Sequence, residues 1–134
     1  MWYCAIAVAA IVVVCLALNT MRYAADGAHG TSAHVNLSRW NHFLLEVSPE
    51  DVRAAGLTGL PLPLRVSAEQ LRELGHSRQR RSGSDISLPC VEDPWGHPVI
   101  VELLAEAPRL RWRVTSPVGR SFVGAWIDKT ITLP

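Results

Sequence analysis

"WYCAIAVAAIVVVCLAL", from Trp2 to Leu18, carries no charge and no helix breaker. At ~1.5 Å per residue, about 17 such residues make roughly 26 Å of helix, slightly short of a ~30 Å hydrocarbon layer. Asn19, Thr20 and Met21 complete the length, and Trp2 and Tyr3 are aromatics of the kind that settle at a membrane interface. Residues 1–21 therefore read as a transmembrane helix or signal anchor. A cleaved signal peptide is the rival, but no basic region precedes the run and no small-x-small site follows Leu18 at once. No Lys or Arg comes before it, so Arg22, just after it, mildly favours a cytoplasmic C-terminal side. The missing basic region also raises an unseen upstream start.

What remains of the 134 residues is enough for one small domain. Thirteen Lys and Arg against twelve Asp and Glu give a net charge of +1, without the concentrated basic face that nucleic-acid binding needs. Cys4 and Cys15 lie in the apolar run and Cys90 stands alone, so neither a zinc spacing nor a disulfide framework is present.

"AADGAHGTSAH" (Ala24 to His34) is small, polar and glycine-containing, which predicts a flexible tether over 22–35. Residues 36–134 then form a small α+β domain: a helical part at 36–75, a loop at 76–87 and a β-meander at 88–134. Trp40, Phe43, Leu44 and Val47 fall at helical spacing, with Asn36 or Ser38 as a cap. Ser48–Pro49–Glu50–Asp51 opens a short helix that Gly56 ends. Two prolines keep "GLPLPLRV" extended or turning. Ser67 to Gln70 fits a capping box for a helix that runs to Gly75. Arg78, Arg80 and Arg81 then read as a solvated connector.

Asp93–Pro94–Trp95–Gly96 has the residues of a type I turn, and Pro98 holds His97 extended. "VIVELL" leaves it with Val99, Val101 and Leu103 on one face. "LRWRVT" alternates strictly, with Leu110, Trp112 and Val114 inward and Arg111, Arg113 and Thr115 outward. A loop over Ser116 to Ala125 and a last strand in "IDKTITLP" complete a three-stranded antiparallel sheet. The Trp95 ring is expected to close the open end of this thin sheet against the helices.

"LPCVEDPWGHPVIVEL…RLRWRVTS" resembles the C-terminal region of the major pseudopilin family of type II secretion systems, often called the GspG family. The resemblance rests on Leu88, Pro89, Asp93, Pro94, Trp95, Gly96, Pro98 and Ser116, and in the tail on Gly119, Arg120, Phe122, Gly124, Asp128, Ile131 and Thr132. It covers about the last third of the chain. It implies a non-enzymatic, single-pass protein of the inner membrane with an extracytoplasmic domain. Its expected partners are the membrane and other protein subunits, including other pseudopilins, in a filament that assists secretion.

Two features depart from that pattern. The family carries an acid five residues into its mature apolar helix, whereas the first acid here is Asp26. The buried charge pairing that selects a polymer register is then missing. The family's loop binds calcium, but Ser116 to Pro134 offers only Asp128 as a carboxylate, so no calcium site and no other cofactor is expected. The alternative reading is a membrane-tethered interaction module that does not polymerise. Its contact surface would use Arg111 and Arg113, which a solvated sheet face explains as well.

Catalysis finds little support in the residues. His29, His34, His42, His76 and His97 are scattered, and the turn accounts for His97 beside Asp93. No nucleophile elbow or phosphate loop occurs, and no small-molecule substrate is implied. Asn36-Leu37-Ser38 matches a glycosylation acceptor, which a helix cap also explains.

Overall fold

The computed structural model describes the backbone of residues 2–83, 87–120 and 126–134, with side chains described outside Trp2 and 117–129. The chain is mixed α+β. It opens with α1 (Trp2–Leu45), a single helix of 44 residues. After it come α2 (Pro49–Ala54), β1 (Leu64–Arg65) and α3 (Ala68–Ser82). Then follow β2 (Ile100–Ala105), β3 (Arg111–Arg120) and β4 (Trp126–Thr132).

The tether expected over 22–35 is instead an uninterrupted part of α1. Gly27 and Gly30 each cost about 1 kcal/mol of helix propensity relative to alanine, yet the helix passes through both. The reason lies downstream. Ala33, Leu37, Trp40, Phe43 and Leu44 are buried along one face, and that packing holds the helix together; Val47, also buried, lies just past its end. Asn36 and Ser38 consequently lie inside the helix, and neither caps it. Upstream of Asp26 the helix is bare: Tyr3, Ile6, Val8, Ile11, Leu16, Leu18, Met21 and Tyr23 are all exposed. Among the described residues this is the one helix long and apolar enough to cross a membrane. Thr20 donates its hydroxyl to the Leu16 carbonyl at 2.8 Å, so that polar group is satisfied within the helix.

The sheet has four strands rather than three, in the order β1-β2-β3-β4, every pair antiparallel. The extra strand comes from the proline-rich segment, where Leu64 pairs with Leu103 and Arg65 with Glu102. Two residues are too short for an alternation signal. Leu64, Leu103 and Trp112 form one inward row, and Val101, Val114 and Ile131 the next. α1 packs across this face, chiefly on β3. Its Trp40 and Phe43 rings meet edge to face at 5.7 Å. β3 runs on to Arg120, so much of the loop expected over Ser116 to Ala125 is strand, and the remainder, 121–125, lies outside the described residues.

The capping box predicted at Ser67 with Gln70 forms, and the helix start predicted at Ser48 proves to be a capping box as well, with Asp51. The stop predicted at Gly75 does not occur. α3 continues to Ser82 and ends on Gly83, whose φ of 62° is the left-handed cap geometry. It continues because its last two turns find partners. The Arg78 guanidinium pairs with Glu46 and lies 5.2 Å over the Phe43 ring. Arg81 donates to the Glu46 carbonyl at 2.7 Å and to Asp51 at 3.0 Å. The expected solvated connector is thus a structural junction, with Arg78 buried. Of its three arginines, only Arg80 keeps a surface role, pairing with Glu73 on the same helix.

Candidate functional site

The segment that carries the resemblance is a tight corner docked on α1. Asp93 organises it. Its Oδ1 accepts the amides of Trp95 and His97, each at 2.8 Å, and its carbonyl accepts the Gly96 amide at 3.0 Å. The Asp93 amide donates to the His97 carbonyl, the Val99 amide to the Val91 carbonyl, and Glu92 bridges to Pro98. Gly96 sits at φ 81°, a conformation that costs an L side chain roughly 1 kcal/mol or more. Asp, Pro and Gly each therefore have a backbone reason to be where they are. His97 Nδ1 is 3.5 Å from Asp93 Oδ2, a proximity set by the turn itself.

Two clamps fix the corner to α1. At the first, Asn36 treats the Cys90 peptide as a strand partner: its Nδ2 donates to the Cys90 carbonyl at 2.9 Å and its Oδ1 accepts the Cys90 amide at 3.1 Å. Trp40 Nε1 donates to the same carbonyl at 3.0 Å. At the second, Trp95 Nε1 donates to Asp26 Oδ1 at 3.3 Å, and the His29 ring meets the Trp95 ring edge-on at 5.6 Å. Trp95 thus covers the helix flank around Asp26 and His29. Asn36 is buried with both ends of its amide occupied, so the folded domain has no room for a glycan there.

A cleft of about 530 Å³ opens between α1, α3 and the approach to the corner, lined by Arg39, His42, Phe43, Arg78, Leu88 and Cys90 among others. A neighbouring cleft of about 390 Å³ runs past Val35, Asn36 and Arg39 to Asp93 and Pro94.

The remaining signature residues are scattered. Ser116 is buried inside β3 opposite Lys129, and the backbone of Asp128 pairs opposite Pro117. Gly119 lies at an irregularity of the β3–β4 ladder, and Gly124 falls outside the described residues. Arg111 and Arg113 do share the outer sheet face, but they differ. Arg113 is engaged across the sheet, Nε to Glu102 Oε2 at 2.6 Å, whereas Arg111 is exposed opposite Ala105. Hydrogen bonding from Arg113 holds the Glu102 carboxyl below its usual range, and the same hydrogen bond, helped by the Glu102 charge, raises Arg113 in turn.

The junction at the far end of α1 was not legible as a site. Asp51 is fully buried and accepts from the Ser48 amide, the Ser77 hydroxyl and the Arg81 guanidinium. Burial pushes its pKa up, but the Ser48 amide, Arg81, Ser77 and the Ser48 hydroxyl outweigh it, and the net displacement is downward. A capping acid gives no sequence sign that a serine and an arginine of α3 will also converge on it. Among the described residues, no group of three or more His, Cys, Asp or Glu side chains gathers as metal ligands would.

No protein-family model, curated protein or solved structure matches this chain.

Proposed function

We propose that the protein is a membrane-anchored, pseudopilin-like structural subunit of a type II secretion or pilus-like apparatus, without enzymatic chemistry of its own. It would lie in the inner membrane with the α+β domain outside the cytoplasm. The observation that carries this reading is the continuity of α1. One helix is bare and apolar through its first half and forms the wall of the domain core in its second. A rod built into its head passes displacement and orientation from membrane to domain, as a force-transmitting subunit requires and a flexible linker does not. The Asp93 corner, with the resemblance it carries, supports the same reading.

A second reading, a membrane-held interaction module that does not polymerise, is favoured by one feature: no acid occurs before Asp26. A helix array in lipid would then lack the charge pair that fixes register.

Two measurements separate them. The N-terminal sequence and intact mass of protein from native membranes should show a start upstream of Met1, trimmed after a glycine and methylated, if the subunit is processed for assembly. Cys4 and Cys15 are both exposed on the apolar half of α1 and serve as built-in probes. In a Cys90→Ser background, mild oxidation of native membranes should give a ladder of disulfide-linked multimers. An unprocessed terminus with no species above monomer would sink the subunit reading and leave the interaction module.

A further inference from the structure

The rigidity of α1 fixes how far the Asp93 corner stands from the bilayer, provided that α1 spans it. A hydrocarbon layer of ~30 Å takes about 20 residues of helix, which places its edge near Arg22 when Tyr3 marks the opposite boundary. Met21 and Tyr23 are 70% and 67% exposed, and nothing in the domain covers them. Asp26 follows one helical turn after Arg22, roughly 6 Å along the axis, and the headgroup layer is itself about 5–8 Å deep on each side. Asp26 and His29 are the residues that Trp95 meets. The corner is therefore held at headgroup depth by two contacts to a helix that runs on without a break into the apolar segment.

We propose that the Asp93–Gly96 corner is a membrane-seating element that rests in the lipid headgroup layer. The composition of the corner suits that layer. Trp95 and Pro94 are half-buried, and Gly96, His97 and Pro98 are exposed at the tip. Trp95 is half-buried with its N–H bonded to Asp26, and tryptophan is enriched at membrane–water interfaces. The charges around it do not make a basic patch: Arg22 is set against Asp26, Glu92 and Asp93. The seating is thus a consequence of helix continuity, and it should not depend on anionic lipid.

The test uses the full chain with its three cysteines replaced by serine, reconstituted in phosphatidylcholine bilayers containing a nickel-chelating headgroup lipid. Single nitroxides are placed by His97→Cys or Glu92→Cys at the corner, by Val12→Cys in the span, and by Arg109→Cys, which lies beside Leu44 and Leu45 at the distal end of α1. Headgroup nickel should enhance relaxation at 92 and 97 several-fold over 109, equally with or without anionic lipid. The label at 12 should be accessible to oxygen and shielded from water-soluble nickel. Corner labels that behave like 109, with the label at 12 still in lipid, would overturn the seating and leave the membrane anchor intact. A water-accessible label at 12 would overturn both.

Discussion

At the scale of single residues, polar side chains do the joining. Asp51 ties α2 to α3 from a buried position, so replacing it with alanine leaves Arg81, Ser77 and the Ser48 amide without their acceptor. Asp51→Ala should cost about 3 kcal/mol in chemical denaturation. The pH dependence has a defined sign. A carboxyl displaced downward in the folded state contributes its full stability above its ordinary value of 3.8, and that contribution is lost as pH falls through the lower folded value. Asp51→Asn cannot titrate, so the stability gap between it and the parent should narrow as pH drops below 4; a constant gap would refute the assignment. Asn36 is the equivalent link for the corner. Asn36→Ala leaves the Cys90 peptide unsatisfied on one side and should cost about 2 kcal/mol. The sequence shows these residues without showing their distant partners: Ser77 and Arg81 lie 26 and 30 positions from Asp51, and Cys90 lies 54 from Asn36. Asn36 reads as a cap, and only the fold brings Cys90 to it.

At the scale of elements, the local signals that held were those with a backbone cause. The capping boxes, the Asp-Pro-Trp-Gly turn and the alternation at Arg111 to Thr115 report geometry that neighbouring residues settle among themselves. Signals of interruption failed at Gly27, Gly30 and Gly75, where tertiary packing outweighs about 1 kcal/mol of lost propensity per glycine. This has a direct consequence. Gly27 lies in helical conformation, and an added Cβ would meet nothing within 4 Å. Gly27→Ala should therefore raise stability by about 0.5–1 kcal/mol, seen as a higher Tm with unchanged helix content. Gly96 gives the opposite result for the opposite reason. Its surroundings are also open, but its φ of 81° is strained for alanine, and Gly96→Ala should lower stability by about 1 kcal/mol. Sterics alone would rank the two alike.

At the scale of the whole molecule, the central fact is that the apolar segment long enough to span a membrane and the wall of the core share one helix. A flexible segment over 24–34 would be cut readily by elastase, which favours small residues. The continuous helix predicts that membrane-reconstituted protein survives with that segment intact while the exposed chain ends are trimmed. Early cleavage there would show that the helix opens in solution. The sequence by itself determined the long apolar helix, the short capped helices, the turn at Asp93 and the inward faces of β2 and β3, because each follows from composition, from periodicity or from the conformational needs of a few adjacent residues. Only the tertiary structure decided that α1 runs unbroken, that two residues at Leu64 extend the sheet to a fourth strand, that Arg78 is buried, and that Trp95 meets Asp26. Those outcomes depend on contacts between distant parts of the chain, whose energies exceed the local preferences that a linear reading can see.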